Sequence, residues 1–138
     1  MDWKDKCFAA LTERNMFEDS WHKTRFKELL DCYIQSPFFS KGLCKCMYLS
    51  AWDEEHFCVM LEILMAMSLG KDEDTKEMRI NGDILAEEQT GGEYYIYQLS
   101  NAFLDDAPFH LDKSAAIPPE YMYIIRRALQ ASNIIDQL

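Results

Sequence analysis

Two short cysteine motifs, Cys44-Lys45-Cys46 and His56-Phe57-Cys58, bring together four of the soft or borderline donors that zinc prefers. Their spacing argues against a shared ion. Residues two apart on a helix diverge by about 200°, so neither pair closes on one metal without breaking the helix. Free cysteine is among the most frequently buried residue types, and small core side chains are the simpler reading of these thiols. No metal site is assigned.

Nucleophilic cysteine chemistry requires a thiolate held beside a base, and five cysteines with three histidines offer many pairings that spacing does not choose between. His22 stands one turn after Glu18, the arrangement of an ordinary pair on a helix surface. His110 follows Pro108-Phe109 in an expected loop. The chain contains no His-Glu-x-x-His, no Gly-x-Ser-x-Gly, no phosphate loop and no dinucleotide fingerprint. No catalytic residue and no cofactor is therefore expected.

The acidic residues carry a stronger pattern. Asp72-x-Asp74 fails as a calcium loop, because the fifth, sixth and twelfth positions hold Lys76, Glu77 and Asp83 where oxygen, glycine and glutamate are needed. What remains is charge. From Asp72 to Asp112 the chain has 11 acids and only Lys76 and Arg79 as bases. A solvated face is the plain reading of such a run, and electrostatic steering toward a basic partner is the functional one. Tyr94, Tyr95 and Tyr97 lie inside the span, and on a helix they point in at least two directions. Tyrosine anchors interfaces by contributing area together with a hydroxyl. The candidate partner-binding residues are Asp72, Asp74, Glu87, Glu88, Tyr94, Tyr95 and Tyr97. Met47, Met60, Met65 and Met67 read as core, and Arg126-Arg127 as a basic pair answered by local acids.

These residues must be positioned by helices. Trp3, Cys7 and Leu11 recur every fourth residue and predict a helix from Asp2 to about Arg14. Ser20 is the expected cap of a second helix from Trp21 to about Gln35, and Ser36-Pro37 ends it. A third follows over Phe38 to about Leu49, weakened by Gly42. Ser50 is the expected cap of a fourth running to Leu69, with Asp53, Glu54 and Glu55 in its first turn. Apolar residues surround that helix between Phe57 and Met67, which predicts the central buried element near residues 52–69. Residues 77–97 fit a helix better than the alternative, a short β-hairpin at 78–85 turning on Asn81-Gly82. A helix is expected over Glu93 to Asp105. Pro118-Pro119-Glu120 opens a last helix whose face is Tyr121, Ile124, Ile125, Ala128, Ser132, Ile135 and Leu138.

The 138 residues, 49% of them hydrophobic, suffice for one core, and no repeat or linker divides them. The expectation is an all-α single domain over 1–138, with five or six helices. A formal charge of −10 opposes binding to nucleic acid or anionic lipid, and Phe57 to Met67 is short of the ~20 residues of a membrane span. The opening Met1 to Arg14 lacks the apolar run of a signal peptide, and an odd number of cysteines fits a reducing compartment, so a cytoplasmic protein is expected. The leading functional expectation is a non-catalytic interaction or regulatory protein, an inhibitor or immunity-type protein being one form, that binds a basic protein partner through the acidic tyrosine-bearing surface. The competing class is a small-ligand or metal-dependent enzyme with a pocket between helices and His56 and the cysteines in it. A homodimer with aromatic residues at its interface is a third arrangement.

Overall fold

The computed structural model describes residues 3–32, 41–68, 91–109 and 117–138. It is all-α. Six helices occupy these residues: α1 (Trp3–Glu13), α2 (Ser20–Cys32), α3 (Lys41–Ser50), α4 (Glu54–Ser68), α5 (Gly91–Asp105) and α6 (Pro119–Asp136). Residues 78–85, where a short β-hairpin is the alternative to the favoured helix, lie outside the described residues, while 91–97 belong to α5.

Two helix starts are set by aspartates near the serines expected to cap them, Asp19 one residue before Ser20 and Asp53 three residues after Ser50. The Asp19 carboxylate accepts the backbone N–H of His22 at 2.8 Å, and Asp53 accepts that of His56 at the same distance. Each aspartate therefore occupies the N-cap, where a side-chain oxygen satisfies an otherwise orphaned N–H and meets the positive end of the helix dipole. Ser20 and Ser50 do not cap these helices; Ser20 is the first residue of α2 and Ser50 the last of α3. At α6 the two prolines act as expected, with Pro118 at the cap and Pro119 inside the first turn.

Two helix ends are set by left-handed residues. Asn15 (φ 54°) follows α1, with Asn15 N–H donating to Thr12 O and Met16 N–H to Leu11 O. Asp106 (φ 52°) follows α5, with matching bonds from Asp106 to Phe103 O and from Ala107 to Ala102 O. Both are Schellman closures, in which one left-handed residue lets the chain turn back and satisfy the last carbonyls. Buried Leu11 and Met16 add the apolar contact that accompanies the motif.

The centre of the domain is α3. Every residue from Leu43 to Ser50 is buried, and the helix packs against α2, α4, α5 and α6. The helix expected near residues 52–69 forms as α4, and its described side chains are buried only in part. Of the α4 side chains described, His56 and Met60 are buried, Phe57 and Leu61 are partly covered, and Cys58 is exposed. An all-round apolar sequence allows burial on every side, but burial is decided by how many neighbours surround the helix. Gly42 helps α3 acquire them by letting the α5 backbone approach.

An aromatic group joins the α1–α2 connection to this centre. Phe17 lies 5.3 Å from His22, 5.5 Å from Phe26 and 5.9 Å from Tyr48, between ring centroids. The Tyr48 hydroxyl donates to the carbonyl of Met16. Burial of such rings dominates core energetics, and a buried hydroxyl finds a partner. No helix among the described residues is long and apolar enough to cross a membrane.

Candidate functional site

The three tyrosines expected at a binding face stand on the first two turns of α5, and the helix divides them. Tyr94 is exposed, and the half-buried Tyr95 meets it edge to face at 5.3 Å. Tyr97 is half-buried like Tyr95, its ring centroid 6.0 Å from that of His56. Tyr94 is thus the exposed member of the three, and Tyr95 and Tyr97 are each partly covered. Asp72, Asp74, Glu87 and Glu88 lie outside the described residues. Asp106 is exposed, but it follows the far end of α5, about 18 Å along the axis from Tyr94 at 1.5 Å per residue.

A second cluster gathers side chains from the α3–α4 turn, α4, α5 and α6. Trp52 stacks on His56 at 5.5 Å and meets Tyr121 edge-on at 5.4 Å, and Tyr97 closes the other side of the imidazole. His56 Nδ1 lies 2.6 Å from Asp53 Oδ1. Burial works against ionisation of Asp53, yet the His56 side chain and backbone N–H, with the positive charge of His56 and Arg25, hold its carboxyl below the usual range. A carboxylate on an imidazole is the orienting half of a general base, which must also reach a substrate. Here the ring is only 6% exposed and packed between aromatics, so the pair anchors the start of α4. Sequence reasoning missed it. Its signal was the repeated Asp-x-x-His spacing at 19–22 and 53–56.

His22 completes that repeat and corrects the expectation of a surface pair with Glu18. It is fully buried. The Glu18 backbone N–H donates to Nδ1 at 3.1 Å, so the proton belongs on Nε2, which lies 2.8 Å from the Tyr48 carbonyl. Burial, the largest influence, pushes its pKa down to about 4 against the opposing pull of the Tyr48 carbonyl. His22 is a neutral strut between the α1–α2 connection and α3.

Among the described residues, Cys7, Cys44 and Cys46 are engaged away from His22 and His56. Cys44 faces α1, where its Sγ lies 2.7 Å from that of Cys7, while the Cys46 thiol donates to Ser100 O on α5 at 3.3 Å. Cys7, Cys44 and Cys46 are buried and Cys58 is exposed. Among the described residues no group of three or more His, Cys, Asp or Glu side chains is placed to hold a metal ion. Glu54, Glu55, Cys58 and Val59 line an open surface groove on α4.

Five of the described basic residues are bound at helix ends. Lys4 of α1 donates to Leu30 O in the last turn of α2, and Arg25 of α2 donates to Ala51 O and Trp52 O just beyond α3. Lys41 of α3 reaches Asp136 O and Leu138 O at the end of α6, where Lys45 pairs with the Asp136 carboxylate at 2.7 Å. Arg127 of α6 donates to Asn15 O just beyond α1 and to Glu18. None of these four helices has a base of its own in its last turn. Each negative helix end is met by a cation from a neighbour, and the sequence of donors closes on itself from α6 to α1, α2, α3 and back.

Comparison with protein-family models, with curated proteins and with solved structures finds no match.

Proposed function

We propose that the protein is a non-catalytic interaction or regulatory protein of the cytoplasm that binds a basic protein partner through the acidic segment containing Asp72, Asp74, Glu87 and Glu88 and the tyrosines that follow it. The observation that carries this reading is the 11-to-2 excess of acids over bases between Asp72 and Asp112, with Tyr94 exposed inside that span. Tyr95 supports Tyr94 edge-on, and an aromatic ring held this way loses little freedom on docking.

The placement of the cations adds support. Lys4, Arg25, Lys41, Lys45 and Arg127 are bound at helix ends, and Asp136 and Glu18, which pair with Lys45 and Arg127, lie outside the acidic span. Complementary charge of this kind chiefly accelerates association and selects against wrong partners.

The test is capture from a cell lysate at low salt, comparing the wild-type chain with the fourfold variant Asp72→Asn, Asp74→Asn, Glu87→Gln and Glu88→Gln. Proteins enriched by the wild type should be basic, be released by added salt and fall several-fold with the variant. Tyr94→Ala should weaken the same capture. Equal capture by the fourfold variant at low salt removes the reading. Stoichiometric zinc in protein purified without chelator moves it to the enzyme class.

A further inference from the structure

We propose that Cys7 and Cys44 are the site of a reversible intramolecular disulfide that joins α1 to α3 when the protein meets a low-molecular-weight disulfide oxidant. The two sulfurs lie 2.7 Å apart, across 37 positions of sequence and between two different helices. A disulfide bond is about 2.05 Å long, so bonding requires the sulfurs to close by roughly 0.7 Å. No other described pair of thiols is so placed. Cys46 points to Ser100 O on α5 and Cys58 is exposed on α4.

The chemistry balances as thiol–disulfide exchange. One cysteine, deprotonated, attacks a sulfur of the oxidant RSSR, forming a mixed disulfide and expelling RS⁻, which takes up a proton as RSH. The second cysteine then attacks the protein sulfur of that mixed disulfide, and a second RSH leaves. Two thiols are oxidised and one RSSR is reduced to two RSH. Burial, reinforced by the adjacent Cys7, holds the Cys44 thiol protonated far above the ordinary cysteine range. Both sulfurs are fully buried. Exchange therefore proceeds through local opening of α1 from α3, and the finished bond is shielded from thiol reductants by the same packing. A cross-link between these positions restricts the unfolded chain and clips α1 to the central helix.

The experiment treats the full chain with oxidised glutathione, both folded and during refolding, then blocks free thiols and maps tryptic peptides without reduction. Lys45 separates Cys44 from Cys46, so the bond is read uniquely as peptide Cys7–Arg14 joined to Gly42–Lys45. The expected result is that species, lighter by two hydrogen atoms than its reduced parts, lost on adding dithiothreitol, with Tm raised on the order of 10 °C in the oxidised form. Cys7→Ala and Cys44→Ala should each abolish that shift on oxidation. If both cysteines remain open to alkylation after refolding with the oxidant, or if the cross-link joins Cys32, Cys46 or Cys58 instead, the proposal is overturned.

Discussion

Gly42 on α3 lies against the backbone carbonyl of Phe103 on α5, with no room for a side chain between them. A methyl group there would overlap the carbonyl oxygen and stand 3.2 Å from the Phe103 carbonyl carbon and 3.3 Å from Leu104 Cα. All three are backbone atoms and cannot swing aside. Alanine ordinarily improves a helix by about 1 kcal/mol over glycine, but here it must push two helices apart. Gly42→Ala should therefore lower stability by about 1–3 kcal/mol, the cost of overpacking, and Gly42→Val by more. Urea denaturation of the variants checks this, and an Ala variant as stable as the parent contradicts the close approach.

Arg25 holds two helix-end carbonyls at once, with Nε 2.7 Å from Ala51 O and Nη2 2.9 Å from Trp52 O. Its planar fork serves both carbonyls at once, which a lysine ammonium does not reproduce. Arg25→Met keeps the stem and removes both bonds. It should cost about 2 kcal/mol, within the range for hydrogen bonds to a charged group after allowance for partial exposure. Arg25→Lys should recover less than half. Chemical denaturation measures both, and the order Met, Lys, Arg in rising stability is the outcome to check.

The same residues explain what was legible in advance. Helix types followed from apolar spacing, and Ile124, Ile125, Ala128, Ser132 and Ile135 are buried on α6 as their periodicity requires. The full burial of α3 was not legible, because α3 contains Gly42, which weakens the expectation of a helix, and a charged residue, Lys45. Both are answered only in three dimensions, by the Phe103 backbone and by Asp136. His22 was misread for a related reason: its ring is satisfied by the carbonyl of Tyr48, 26 positions away, and by the Glu18 backbone, not its side chain. That at least one tyrosine of α5 reaches the surface was legible, and Tyr94 does; which ones are partly covered was not, since the neighbours of Tyr97, Trp52 and His56, come from another part of the chain.

Asn15 and Asp106 hold left-handed conformations at the ends of α1 and α5. Asparagine and aspartate tolerate this region better than other side chains, but glycine enters it without a Cβ penalty. Asn15→Gly should stabilise the domain by a few tenths to about 1 kcal/mol, the gain being reduced by the extra freedom of glycine in the unfolded chain. The Arg127 bond to Asn15 O is made to the backbone and survives the change. Alanine at either position should destabilise. Thermal denaturation of the Gly and Ala variants should place the wild type between them.

His22 sets the acid limit of the fold. In the unfolded chain its imidazole takes up a proton as pH falls through 6.5, whereas in the folded protein it stays neutral until about 4. Between those values the unfolded state binds one more proton, so stability rises with pH across the window. The contribution is fully present above 6.5 and is lost progressively on acidification, reaching about 3 kcal/mol at 1.36 kcal/mol per pH unit. Asp53, whose carboxyl is held below 3.8, adds a loss at the acid end as it too takes up a proton. His22→Gln removes the titrating group. It should be less stable than the parent near neutrality, because the fit between Glu18 N–H and Tyr48 O is disturbed, yet its stability should change less between about pH 6.5 and about pH 4. Urea midpoints measured across that range decide the matter: parallel curves for the two proteins would show that His22 is not the group responsible.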